Sequence, residues 1–483
     1  MKKVVIEPVT RVEGHGKVTI HLNDEGQVDD AFFHIVEFRG FDRFIQGHPY
    51  WEADTLVQRL CGICPVSHHL AASKAIDQLV GIDPGDLSPT AEKLRRLLHY
   101  AQMFQSHALH FFYLAAPDLL FGLDAPAEQR NVVGVATADR ETARKGILMR
   151  IFGQEVIQAI AGRKIHGVAA VPGGVHKTFH PHERDRFLKG SDDLPNIDTM
   201  IEWSKEMVDY IKDYHEKNHD WLDSFAYYPS GHMGLVTDEG ALELYDGKLR
   251  AVDAEGKITL PDIENDRYAD YFREGVEKWI YMKFPYIKSL GRDKGWNRVG
   301  PLARLNVADK ITTPLAQKEF EVFKMLTEGK PNNATMHSHW ARLIEVLHCA
   351  ELMKELLDDE TILGNDLIRK GTPRNEGIGI IEAPRGTLTH HYQVDDNGKI
   401  EKCNLIVSTT HNNEPMNRAV RWVANKIFEE NQTITEPMLN QIEVAIRAYD
   451  PCLSCATHAM GQMPLHVELY DSSNQLIDER FKH

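Results

Sequence analysis

Apolar and polar residues alternate along the first 37 positions, as in Lys17-Val18-Thr19-Ile20-His21-Leu22 and Ala31-Phe32-Phe33-His34-Ile35-Val36, around Asn23-Asp24-Glu25-Gly26. A period of two broken by turn formers predicts a β-hairpin with a four-residue connection, so a small sheet of about residues 1–40 opens the chain. The same pattern returns from Lys248 to Leu260 around Glu255-Gly256, and from Leu388 to Val407 around Asp396-Asn397-Gly398. Elsewhere the spacing lengthens to three and four. Ser88-Pro89 caps a segment with apolar residues at Leu94, Leu97, Leu98, Ala101, Phe104 and Leu109, one helical stripe that can run to Ala116. Further helices are expected over 51–60, 67–79, 140–161, 197–225, 314–328, 338–357, 413–430 and 436–449. The fold class is mainly α (α+β): a large central helix bundle with small antiparallel sheets and hairpins.

Composition narrows the function. At 483 residues and 42% hydrophobic content the chain is ample for a buried core, and no repeat or long linker divides it. The net charge of −16 argues against nucleic acid or an anionic membrane as the main partner. No apolar run approaches the roughly 20 residues that cross a bilayer. Met1-Lys2-Lys3-Val4-Val5-Ile6-Glu7 is too short in apolar residues for a signal peptide, so a cytoplasmic location is expected.

The six cysteines point to metal chemistry. Four fall in two C-x-x-C pairs, Cys61/Cys64 and Cys452/Cys455, each followed by a histidine, His68 or His458. Cys349 and Cys403 stand alone and read as small apolar residues. Each pair lies where helical patterns meet: Cys61 follows one, Cys64-Pro65 precedes another with Gly62 to let the backbone fold back, and Pro451 breaks the helix before Cys452. Four thiolates suit zinc, an iron–sulfur cluster, or nickel with iron. Zinc ribbons place their pairs about 15–20 residues apart, whereas here nearly the whole chain separates them. Ionisable groups also cluster with Gly or Pro in Arg11-Val12-Glu13-Gly14-His15, Gly162-Arg163-Lys164-Ile165-His166, Pro172-Gly173-Gly174 and Glu382-Ala383-Pro384-Arg385-Gly386.

In this order, R-x-E-G-H at Arg11, R-x-C-G-x-C-P-x-x-H at Arg59, the segment His107 to Asp118, G-R-x-x-H followed by P-G-G, A-P-R-G at Ala383, and D-P-C-x-x-C-x-x-H at Asp450 resemble the large subunit of a nickel–iron hydrogenase, from Arg11 to His458. The resemblance implies a nickel–iron centre with carbonyl and two cyanides on iron, held by Cys61, Cys64, Cys452 and Cys455, with Cys64 and Cys455 bridging the metals. It implies that Cys452 accepts the proton from H2 and passes it to Glu13. Arg385, next to Pro384, would lie over the open face, and Ser408 would reach the other cyanide. His68 would donate to a bridging sulfur, and Asp118 and Asp450 would brace Arg385. Magnesium would be held by His458, by Asp42 where relatives carry a longer acid, and by the Asn404 carbonyl.

The same resemblance implies a single catalytic domain over 1–458 and an extension, 459–483, removed by a maturation endopeptidase. An iron–sulfur small subunit would be obligate. The bidirectional NAD-reducing type is the nearest in pattern, with FMN and NAD on diaphorase partners; nothing here resembles a G-x-G-x-x-G dinucleotide site. An F420- or NADP-linked cytoplasmic hydrogenase is the alternative. Of other classes, the quinone-site subunit of a complex I-like enzyme lacks the four-thiol set, and a structural zinc protein would hold zinc alone.

Overall fold

The computed structural model describes residues 2–37, 40–430, 435–457, 465–470 and 476–482. Its first sheet has three antiparallel strands, Lys2–Ile6, Gly16–Leu22 and Val28–Ile35, one more than the expected hairpin. Val18, Ile20, Phe33 and Ile35 form its buried face and meet Met416, Ala419, Val420 and Val423 of helix Asn413–Glu430, so the alternation read from sequence is the contact surface for one helix.

Three long helices, Pro89–Leu109, Ile197–Ser224 and Ser338–Asp358, pack together in the main core, with Arg140–Ala161 against the first of them. The Ser88 hydroxyl accepts from Ala91 N at 3.1 Å, the expected N-cap. The C-terminal end departs from expectation. Beyond Leu109 the chain widens into a π-helical turn, His110–Ala115, before Ala116–Phe121 resumes the α-helix. Pro117 has no N–H and its ring crowds the carbonyl four residues back, and the wider turn relieves that clash. It also leaves the Leu114 carbonyl to accept from Arg11 Nη1 at 2.8 Å.

The hairpin read around Asp396–Gly398 is present as Gly386–Val394 paired with Ile400–Ile406, and that around Glu255-Gly256 as Lys248–Val252 with Ile258–Ile263. The former gains a third strand, Glu376–Ala383, joined to Gly386–Val394 by the tight turn Pro384-Arg385. Helix Pro65–Leu79 lies across this strand at closest approach. A Cβ on Gly377 would stand 2.0 Å from the Ala75 carbonyl oxygen, and one on Gly379 2.0 Å from that of Ala71. Two glycines on one face therefore let the helix rest on the strand and bring its first residues beside the Pro384-Arg385 turn. In the tail, Leu465–Tyr470 pairs antiparallel with Leu476–Lys482.

Candidate metal centre

The two cysteine pairs meet although 388 positions separate Cys64 from Cys452. Cys61 is extended after the 3-10 turn Val57–Leu60, and Cys64 caps helix Pro65–Leu79. Gly62 takes no left-handed conformation and a Cβ on it would meet nothing, so its freedom does not make this turn, contrary to expectation. The extended Cys61 and the cap at Cys64 do, with Ile63 N donating to Cys61 Sγ at 3.2 Å. On the other side, helix Glu436–Ala448 ends, Asp450 adopts φ 51°, and Cys452 N donates to Thr409 Oγ1 at 2.9 Å.

The four sulfurs lie within 4.8 Å of one another. Cys452 Sγ is 2.7 Å from Cys455 and 3.3 Å from Cys61, and Cys64 is 3.3 Å from Cys455. All four are buried and none is in a disulfide. Hydrogen bonds from Cys452, Cys455 and Cys64 draw the Cys61 thiol well below its usual pKa, while burial pushes Cys452 and Cys455 well above theirs. Four soft donors at contact distance, away from water, suit a thiophilic cation that takes them all as thiolates.

Beside the sulfurs is a small cavity, with room for about one water-sized molecule, lined by Cys64, Ser67, Pro384, Arg385, Ser408 and Cys455, among others. Arg385 is buried, with Nη2 3.0 Å from Asp450 Oδ1 and Nη1 3.3 Å from Ser106 Oγ. Among the described residues its Nε and the Ser67 hydroxyl have no hydrogen-bond partner. Orphaned buried donors on a small cavity fit small acceptor ligands such as cyanide on a metal. The Ser408 hydroxyl, expected in that role, donates instead to the Gly386 carbonyl at 2.6 Å. Ser67 was missed, although it sits between Cys64 and His68 in the same motif.

The N-terminal sheet delivers Glu13 to the same place. Glu13 pairs with Cys452 as an isolated parallel bridge, and Leu453 N donates to its carbonyl at 3.0 Å. Its carboxylate accepts from Ser454 N at 3.1 Å and from the Ser454 hydroxyl. Burial first, then the charge on Cys61, raises its pKa.

Other expected residues divide. Asp450 braces Arg385, but Asp118 does not: it accepts from Arg11 Nη2 and Arg447 Nη1, each at 2.5 Å, locking the N-terminal loop to helix Glu436–Ala448. His68 Nδ1 is 3.1 Å from His390 Nε2, and that ring is 2.6 Å from Tyr392 OH. His166 of the G-R-x-x-H motif bonds the Cys61 carbonyl at 3.1 Å. Asp42 is buried in the turn Phe41–Phe44, and Gly40 N lies 3.4 Å from the Thr457 carbonyl. The Asn404 side chain is committed to Lys283 Nζ at 2.7 Å and Glu274 Oε2 at 3.0 Å. His458 lies outside the described residues. Arg304, fully buried, was also missed: it bonds both Glu345 oxygens at 2.7 and 2.6 Å, Glu382 Oε2 at 2.8 Å and the Ala383 carbonyl at 2.9 Å, anchoring the turn that carries Arg385.

Known proteins share this architecture. A family model described as nickel-dependent hydrogenase matches residues 39–137 and 238–458, and one described as HoxL-like matches 3–38. The NAD-reducing hydrogenase HoxS subunit beta of Cupriavidus necator is 50% identical over 99% of both chains. The corresponding polypeptide of the vhc F420-non-reducing hydrogenase of Methanococcus voltae is 45% identical over 97% of this chain and 98% of its own. A crystal structure of an NAD+-reducing [NiFe]-hydrogenase in the H2-reduced state superposes with a TM-score of 0.91 at 52% identity, covering 95% of this chain and all of that one. With the four thiols gathered at one buried centre, these matches establish that the chain belongs to the nickel-dependent hydrogenases and is a large, catalytic subunit.

Proposed function

We propose that this hydrogenase subunit cleaves H2 reversibly into protons and electrons, with Cys452 receiving the proton and Glu13 carrying it away. Cys61, Cys64, Cys452 and Cys455 would hold a nickel–iron pair, which would supply the Lewis-acidic, electron-accepting chemistry. Arg385 sets a fixed cation on the cavity wall, held by Asp450.

The observation that carries this reading is a hydrogen-bonded line leading away from the sulfurs. Glu13 lies beside Cys452, joined to it by a parallel backbone bridge, and its carboxylate accepts from the Ser454 hydroxyl. The Ser454 hydroxyl is 3.1 Å from Glu37 Oε2, and Glu37 Oε1 is 2.5 Å from Nδ1 of the exposed His15. A hydroxyl both donates and accepts, so Ser454 passes a proton between two carboxylates, and the raised pKa of Glu13 lets it hold one in transit.

Electrons leave through an iron–sulfur small subunit to a diaphorase partner with FMN and NAD in a cytoplasmic complex; the NAD-reducing relatives support NAD as the acceptor. Magnesium is assigned to Asp42, His458 and the Asn404 carbonyl; the closeness of Gly40 to Thr457 supports a site between those segments. A maturation endopeptidase would remove 459–483 after His458.

Glu13→Gln tests the proton route. Turnover with H2 should fall by about 10²–10⁴-fold, with nickel and iron content and para/ortho H2 conversion retained. Loss of the metals would make Glu13 structural instead. Copurification of a subunit binding FMN and NAD checks the acceptor, and an F420-binding partner would replace that assignment.

A further inference from the structure

Among the described residues, metal-ligating side chains converge at one place besides the thiols: His215 and Asp223 on helix Ile197–Ser224, and His337 in the turn leading into Ser338–Asp358. Their ligand atoms lie within 4.8 Å of one another, and Nε2 of each histidine is 2.8 Å from the same Asp223 Oδ1. The helix is interrupted between the two at Asn218 (φ −134°, ψ 20°), whose side-chain amide donates to the Tyr214 carbonyl at 2.9 Å.

The floor of the cluster is aromatic. Trp340 lies 5.3 Å from the His215 ring and 6.3 Å from that of His337, and Phe323 lies 6.2 Å from His337. The opposite side is open, with the Asp223 side chain 51% exposed. His337 Nδ1 accepts from the side-chain NH2 of the buried Asn332 at 2.6 Å, which holds the ring in place.

We propose that His215, Asp223 and His337 form a peripheral site for one zinc-type divalent cation, clipping the C-terminal part of helix Ile197–Ser224 to the start of Ser338–Asp358. Two imidazole nitrogens and a carboxylate are a donor set that Zn2+ takes in tetrahedral geometry. The fourth position faces solvent beside His219, whose ring is 6.5 Å from that of His215. Both imidazoles stay neutral, each moving its proton from Nε2 to Nδ1 so that the cation replaces the hydrogens now shared with Asp223. At His337 the acceptor for that proton is the Asn332 amide oxygen, presented by a half-turn of the side chain that gives up its 3.0 Å bond from Ala334 N. Acidic residues outnumber lysines along the helix, which favours a cation over an anion there.

The test is equilibrium dialysis of the chelator-washed holoenzyme complex against Zn2+, followed by elemental analysis, for the wild type, His215→Ala and Asp223→Asn. The wild type should take one zinc per large subunit, with a zinc-dependent rise in its thermal midpoint. Each variant should bind roughly 10- to 100-fold more weakly. Equal uptake by all three, or no uptake by the wild type, overturns the site. Zinc K-edge absorption on the wild type decides independently of variant folding: nitrogen and oxygen ligation with imidazole scattering supports it, and sulfur ligation overturns it.

Discussion

At the scale of single residues, burial decides which charges are needed. Burial would raise Glu345, but Arg304 outweighs it and holds that carboxylate at about 2, while burial lowers His107, 2.9 Å away, to about 4 and keeps it neutral. Arg304 is therefore the cation that neutralises Glu345. Arg304→Met leaves a buried anion without its partner and should cost about 3–5 kcal/mol. It also frees the Ala383 carbonyl, so nickel content of the purified protein should fall together with the denaturation midpoint; unchanged values for both would show that the turn is held by other contacts. Asp54 is the opposite case. Burial raises it to about 6, above the 3.8 of an unfolded chain, so the folded form binds the extra proton and stability declines as pH rises from about 4 to 6. Asp54→Asn should gain up to about 3 kcal/mol at pH 7 and little at pH 4. Paired urea titrations at the two pH values check the sign. The four cysteines were legible in the sequence because ligand spacing is local. Arg304 was not, because its carboxylate partners lie 41 and 78 positions away and an isolated arginine carries no pattern.

At the scale of elements, periodicity identified what is exposed on one side and failed where burial is complete. Helices such as Arg140–Ala161 and Asn413–Glu430 match their expected limits because a polar face marks their period. Strand Glu376–Ala383 escaped notice: all but its first residue are buried, so alternation is lost, and its two glycines weaken any strand signal. Those glycines are instead contact points for helix Pro65–Leu79. Gly379→Ala must push the Ala71 backbone away by more than an ångström, a cost at or above the top of the roughly 1–3 kcal/mol of ordinary overpacking. Because Cys64 caps that helix and Arg385 follows that strand, the displacement should lower nickel retention as well as the melting temperature. An alanine variant that melts lower but keeps its full nickel would show that the helix and strand separate without moving the centre.

At the scale of the molecule, the centre is divided between distant parts of the chain and has no local unit that folds around it. Cys61 and Cys64 come from one helix junction, Arg385 from a hairpin turn, Cys452 and Cys455 from the end of the last core helix, and Glu13 from the loop before the second strand. The bridge between Glu13 and Cys452 joins the N-terminal sheet to the C-terminal turn, so metal binding and closure of the fold are linked. Gly14 is the narrowest point of that junction. It adopts φ 84°, and a Cβ there would stand 2.8 Å from Leu453 Cβ and 2.9 Å from Ser454 N. Gly14→Ala therefore combines a left-handed backbone strain of about 1 kcal/mol with a clash against the segment between the two C-terminal thiols. The rest of the core does not use this contact, so the variant should remain folded by circular dichroism while its Cys452 and Cys455 become accessible to a thiol reagent and its nickel is lost to a chelator faster than from the wild type. Thiols as protected as in the wild type would mean that the two ends are held by the Asp118 pairing with Arg11 and Arg447 instead.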